Sequence, residues 1–301
     1  MDNGKLLNKE EMKKVRESFY LLKEDPDGSS RLFFENAGGS LRLKAAADVF
    51  HEIDMIPDCD GRKHPMAVSL KELVRKGEDD IRTIFNVKEG SIVPGQTASQ
   101  VMYEIVAAVI DNIPGTNVVT TVLEHPSSFD SSETFAKITG KELRVAPSNM
   151  ATGGCDTDAI IELVDKDTCL LNVMYASNIS GAIMNIPEIV RKARAKKPDL
   201  YITVDAVQHA PHAIMDFSEL DIDGVNFAPY KFFGVRGFGA AWVSDRLARL
   251  PHAKLIAKPE NFWGLGSDAP AQYAMVSKIV DYVCDLSDKK QVLAANCLKR
   301  V

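Results

Sequence analysis

With 301 residues, 45% hydrophobic and 26% charged side chains, the chain is long enough to bury a substantial core, in one large domain or two smaller ones. A formal net charge of −6 gives no electrostatic footprint for DNA, RNA or an anionic membrane. Five scattered cysteines (Cys59, Cys155, Cys169, Cys284 and Cys297), with no CxxC or Cys/His metal spacing, argue against disulfides and zinc and fit a reducing cytoplasm.

The N-terminus is charged and amphipathic, lacks the apolar core of a signal peptide, and no run in the chain reaches the length of a membrane span. Asn8 with Glu11 three residues later predicts a capping box that opens a helix to about Leu22, with Met12, Val15 and Phe19 on one face. We read residues 1–30 as a helical arm, stopped at Pro26-Asp27-Gly28. Leu32 to Asn36 reads as a short strand entering the turn Ala37-Gly38-Gly39-Ser40, and a helix follows from Leu41 to about Ile53. Asp54 to Met66, with two prolines, reads as an irregular loop that reaches over a site.

From Ser69 onward helix and strand alternate regularly. Helices are predicted at Leu70 to Phe85, Thr97 to Asn112, Ser127 to Thr139, from Asp156 or Thr157 to Asp165, and from Pro187, where proline suits a first turn. Between them Ser91 to Val93, Asn117 to Leu123, Gly140 to Ala146, Cys169 to Ala176 and Tyr201 to Val204 read as strands, and a further apolar run ends near Ala228. Repeated units of this kind imply an α/β fold, a largely parallel sheet covered by helices on both faces.

Ligands of such a sheet sit outside the carboxyl ends of its strands, so the residues at those ends are the candidates. Pro94-Gly95-Gln96-Thr97 feeds a helix N-terminus, where free amides and the dipole favour a phosphate, although Gly95 and Thr97 serve equally as turn and cap. His125, directly after a strand, suits a loop residue, an acid/base, or a ring stacked on a planar cofactor. Asn178 after the LLNVMYA strand is a turn asparagine or a donor to a phenolate oxygen. Asp205 ends its strand with Gln208 nearby, and a carboxylate in such a crevice needs a cation to offset its desolvation. Lys231 stands three residues beyond Ala228, followed by Gly234, Gly237 and Gly239. A lysine that holds an aldehyde and a carboxylate that pairs with a pyridinium are what pyridoxal 5'-phosphate (PLP) chemistry uses. Nucleotide binding is the competing use of the fold, but GxGxxG after a first strand and GxxxxGK[ST] are both absent.

The ordered series FFENAGGS, SIVPGQTASQVM, VLEHPSSF, YASNISGAIMNI, TVDAVQHAPH and APYKFFGVRGFGAAWV resembles the class V aminotransferase family, the PLP enzymes of fold type I that include cysteine desulfurases and selenocysteine lyases. The resemblance implies a three-layer α/β/α large domain over residues 31–260, with a seven-stranded, mostly parallel mixed sheet. Residues 261–301 would supply a linker helix and the start of a small C-terminal domain, largely missing, so that the family's carboxylate-gripping arginine and mobile cysteine have no counterpart here.

By the same likeness Lys231 is the Schiff-base lysine, Asp205 the partner of the ring nitrogen, and His125 the ring stacked on the cofactor. Asn178 and Gln208 lie near the phenolate oxygen, and Gln96 and Thr97 bind phosphate. Tyr230 joins them in the position where desulfurases carry histidine, and Ala228 replaces a phosphate-binding serine or threonine of many relatives. Gly266-Ser267 resembles the Gly-Thr segment that approaches the neighbouring subunit's phosphate in a homodimer. The implied function is a PLP-dependent enzyme acting on a small amino acid, desulfurase-like, with an aminotransferase or a non-catalytic partner subunit as alternatives.

Overall fold

A computed structural model describes residues 8–286 apart from 60 and 214; Cys297 and the last part of the expected small-domain segment lie outside the described residues. The capping box forms. Asn8 Oδ1 accepts the Glu11 N–H at 2.9 Å and Glu11 Oε2 accepts the Asn8 N–H at 2.8 Å, opening α1, Lys9–Glu17. The helix stops at Glu17 and not near Leu22, because Phe19 leaves it to form an isolated antiparallel bridge with Leu43.

No strand forms at residues 32–36. Leu32 and Phe34 are 87% and 88% exposed, and an extended run without a neighbouring strand has no ladder to join. Helix α2, Lys44–Asp54, begins later than expected, since the N–H of Leu43 is committed to Phe233 O at 2.9 Å. Helix α3, Pro65–Phe85, begins earlier, with proline in its first turn and His64 Nδ1 accepting the Ala67 N–H.

The alternation then runs β1 (Ser91–Gly95), α4 (Ala98–Asn112), β2 (Asn117–Thr121), α5 (Pro126–Ile138), β3 (Glu142–Ala146), α6 (Thr157–Leu163), β4 (Thr168–Met174), α7 (Ile186–Lys196), β5 (Tyr201–Asp205), β6 (Gly224–Phe227), β7 (Gly239–Val243), α8 (Asp245–Ala248) and α9 (Pro270–Asp285). The strands form one seven-stranded sheet in the order β1-β7-β6-β5-β4-β2-β3. β7 is antiparallel to both its neighbours and every other pair is parallel. The carboxyl ends of β1, β2, β4, β5 and β6 and the start of β7 therefore share one edge.

Successive strand residues face opposite sides, and the core divides accordingly. Ile92, Val119, Leu171, Ile202, Ala240 and Trp242 enter one apolar cluster, with residues of α3, α7 and α9. Val93, Val118, Leu170, Tyr201, Ala241 and Val243 enter the other, with residues of α4 and α8. Helix α9, in the segment expected to be a linker, packs into the first cluster through Tyr273, Met275, Val276 and Ile279. Its approach to α3 is so close that a Cβ at Gly77 would lie 2.5 Å from Tyr273 Cβ. Among the described residues no helix is long and apolar enough to cross a membrane.

Candidate active site

Beyond β6, Ala228-Pro229-Tyr230-Lys231 makes a single 3-10 turn in which the Lys231 N–H donates to Ala228 O at 2.9 Å. The turn is braced from the first motif of the chain. Tyr230 O accepts the Ser40 N–H at 3.2 Å, Ser40 Oγ at 3.0 Å and Arg42 Nη1 at 2.8 Å. Ser40 Oγ also accepts the N–H of Phe233, whose φ of +69° is strained for a bulky side chain. The Ala37–Ser40 turn thus has a task, which is to fix the backbone that carries the lysine.

Asp205, the last residue of β5, is 5% exposed; one carboxylate oxygen accepts the Val207 N–H at 3.0 Å, and among the described residues no cation stands within ion-pair distance. Burial pushes its pKa up, opposed by that hydrogen bond and by the fields of His125 and Lys231. Lys231 is 7% exposed; burial pushes its pKa down, Asp205 opposes the fall and Arg236 adds to it. The two groups are each held toward the neutral form.

His125 caps α5, its Nδ1 accepting the Ser127 N–H at 3.2 Å beside Ser127 Oγ at 2.7 Å, with Pro126 in the first turn. Thr97 caps α4, its hydroxyl oxygen accepting the Gln100 N–H at 3.0 Å, so that the amides of the next residues belong to a first turn without intrahelical partners. One cavity of about 230 Å³ brings together Gln96, Thr97, His125, Asn178, Asp205, Gln208, Tyr230 and Lys231. Ser267 does not line it, and neither does any described residue of 54–66, so the loop expected to reach over a site does not do so. The reason is local: Pro65 and its cap draw the end of that stretch into α3. Gln208 spends its amide differently from expectation, donating Nε2 to Ala37 O at 2.9 Å.

A family profile described as aminotransferase class-V matches residues 33–258. The chain belongs to the class-V aminotransferase family. Among curated class-V relatives it is 27% identical over 182 residues to a cysteine desulfurase IscS of Dictyoglomus turgidum, covering 60% of this chain and 45% of that protein. It is 26% identical over 247 residues to a cysteine desulfurase of Yersinia pestis, covering 78% of this chain and 59% of that one. The chain therefore spans about half the length of the curated relatives it matches. Its fold is that of the apo cysteine desulfurase from Thermococcus onnurineus NA1, with a TM-score of 0.77, 19% identity, and coverage of 90% of this chain and 70% of that one.

The class-V family works with PLP, and the residues present fit that group. A buried carboxylate with no cation at ion-pair distance among the described residues, in one cavity with a lysine held toward its neutral form, matches the demands of a pyridinium nitrogen and an aldehyde. Three further residues join the sequence candidates. Arg236 lines the cavity, and its only signal in the sequence is a place between Gly234 and Gly237. Ser127 orients His125, and the His-Pro-Ser cap is the available sign. Glu124, 7% exposed, accepts the Met174 N–H at 2.8 Å, Thr121 Oγ1 at 2.8 Å and Ser128 Oγ at 2.9 Å, joining the ends of β2 and β4 to α5. Burial raises its pKa to about 8, with Asp205 adding to the rise and the hydrogen bonds opposing it.

Proposed function

We propose that the chain is a PLP-dependent enzyme that acts on a small amino acid in the manner of a cysteine desulfurase. The observation that carries the reading is the meeting of Lys231 with the uncompensated, buried Asp205 in one cavity at the first turn of α4. Bound PLP supplies an electron sink conjugated to the substrate's amino group. Lys231 would hold the aldehyde, Asp205 would keep the ring nitrogen protonated, His125 would stack on the ring, and Thr97 with Gln96 and the opening amides of α4 would hold the phosphate. Asn178 would donate toward the phenolate oxygen, Gln208 would have only the N–H it does not give to Ala37 O for the same group, and Tyr230 completes the wall. With the substrate's amine in its place on the aldehyde, the freed Lys231 Nζ would be the base that takes and returns a proton at the substrate α-carbon, a role helped by the burial that lowers its pKa.

The same reading includes a cytoplasmic homodimer in which Ser267 reaches the partner's phosphate, a helical arm at residues 1–30, and a PLP-binding domain over 31–260. Adding PLP to the purified chain should raise a visible absorbance band that is lost in Lys231→Ala. Sulfide release from L-cysteine supports the desulfurase reading, and a keto acid with amino transfer would replace it by an aminotransferase. A band without turnover of any amino acid makes the chain a non-catalytic relative, and no band at all ends the PLP reading.

A further inference from the structure

Asn226, in β6, is 1% exposed, and neither its Oδ1 nor its Nδ2 has a hydrogen-bond partner among the described residues. An unpaired buried amide is costly, so such a group calls for a cause. Val225 and Phe227 enter the first apolar cluster, so Asn226 between them faces the other side of the sheet, toward α4. On that face its neighbours along β6 are Gly224 and Ala228, and its partner in register on β7 is Ala241, none with a polar side chain. Helix α4 covers this part of the sheet with apolar groups; Ile105 Cγ2 would lie 3.5 Å from a Cβ at Gly224. Thr203, in register with Gly224, gives its hydroxyl to Asn172 Oδ1 at 2.9 Å.

The remaining neighbour is Asp205, which pairs in register with Asn226 across β5 and β6. Residues in register share a face, and adjacent strands lie about 4.8 Å apart, within the span of two short polar side chains. Asp205 Oδ1 accepts the Val207 N–H, while Oδ2 accepts nothing among the described residues, and each carboxylate oxygen can take two donors. A turn of the Asn226 amide toward β5 therefore brings Nδ2 to a carboxylate with more acceptor sites than donors. Asn226 does not line the cavity, so its donor reaches Asp205 without competing for the space a ligand fills.

Resting on the PLP reading above, we propose that Asn226 is a positioning residue: its Nδ2 donates to Asp205 and holds that carboxylate ionised and aimed at the ring nitrogen. A donor favours the charged form of an acid, where burial favours the neutral one. The titratable groups that face Asp205 are Lys231 from the 3-10 turn and His125 and Glu124 at the start of α5. Unlike these three, a carboxamide does not titrate, so its hold on Asp205 is the same at every pH.

The test begins with the full chain free of cofactor, where Asp205 is followed as the carbon-13 carboxyl signal that Asp205→Asn removes. Asn226→Val should move the midpoint of that titration up by about one pH step, a tenfold gain in proton affinity. Asn226→Ser, which keeps a donor on a shorter arm, should fall between the two. With PLP carrying nitrogen-15 in its ring, Asn226→Val should keep the visible band but hold a smaller fraction of protonated ring nitrogen than wild type at about pH 8. A midpoint that is unmoved or lowered in Asn226→Val overturns the assignment, and if stability alone changes, Asn226 is a packing residue. A shifted midpoint with an unchanged ring-nitrogen signal overturns it too. Absence of a visible band in wild type ends the PLP reading and this use of Asp205 with it, whereas an unmoved midpoint beside a normal band sinks only the role of Asn226.

Discussion

Gly239 backs directly onto Thr97: a Cβ at position 239 would stand 2.1 Å from the Thr97 carbonyl carbon and equally close to the Ala98 nitrogen. The first residue of β7 thus forms the floor under the turn that opens α4, where it also pairs in register with Gly95. Gly239→Ala should force that turn outward, costing roughly 1–3 kcal/mol as an overpacked core site. It should also weaken PLP binding by more than about tenfold, because the opening amides of α4 move with the turn. Thermal unfolding and a cofactor titration measure the two effects, and a variant with wild-type values in both would show that the close approach is relaxed at no cost.

Glu124 should make the cofactor-free protein less stable as pH rises. Its folded-state pKa of about 8 lies above the ordinary 4.5, so between those values the folded state holds more protons than the unfolded one. Stability falls through that window, by about 1.4 kcal/mol for each pH step of one, and levels off above it after a loss of a few kcal/mol. Asp205 is raised in the same direction, so Glu124→Gln should flatten the slope without removing it. Glutamine can still accept from Met174 and Thr121 and can donate to Ser128. Urea unfolding at about pH 5, 6.5 and 8 decides the matter; equal slopes in the two proteins would contradict it.

Capture of PLP should rise with pH and reach its plateau below the ordinary lysine value of about 10.4, because only the neutral amine attacks an aldehyde and burial lowers the Lys231 pKa. The midpoint should move up in Arg236→Gln, which removes a neighbouring cation, and down in Asp205→Asn, which removes the opposing anion. Stopped-flow absorbance over a pH series reads both. A midpoint that ignores the two substitutions would mean that neither charge is felt at Nζ.

Asp223 offers a control at the far end of the sheet. Its carboxylate is buried at the start of β6 and accepts from Arg194 Nη2 at 3.1 Å, Arg246 Nη2 at 2.6 Å, the Ile202 N–H at 2.9 Å and Ser244 Oγ at 3.1 Å. Asp223→Ala leaves Arg246 without its anion and Arg194 with only the exposed Asp221, and should cost about 3–5 kcal/mol. The folded fraction should bind PLP with an unaltered spectrum. A changed spectrum would mean that the two ends of β6 are coupled.

Most of the sheet and much of the site are legible in the sequence because both rest on local pattern. Apolar runs such as LLNVM and YITV can only be buried strands in an alternating chain, and whatever follows them stands at the sheet's edge, which is how His125, Asn178, Asp205 and Lys231 come into view. Burial of the chain's other apolar runs is not legible in the same way. LFFEN has the same apolar look as those strands yet lies exposed, since a strand also needs a neighbour and the sequence names none. Helix α3 starts earlier than its apolar pattern suggests because Pro65 serves as a first-turn residue and not as a breaker. Arg236 and Glu124 escape a sequence reading because a charged residue in a loop ordinarily means solvent. Only the fold reveals that one faces the cavity and that the other is enclosed between β2, β4 and α5.

The antiparallel return of β7 has a consequence for how the molecule is made. β1 is the first strand of the sheet in sequence and pairs only with β7, the last, so Ser91 waits for Val243 before its hydrogen bonds close. Pairings of such long sequence separation form slowly. Because the floor of the α4 turn is itself the first residue of β7, a cofactor-ready cavity can exist only once that final strand has slid between β1 and β6. On the PLP reading, affinity for the cofactor would double as a timer on folding, absent until the last strand arrives and then stabilising the finished sheet.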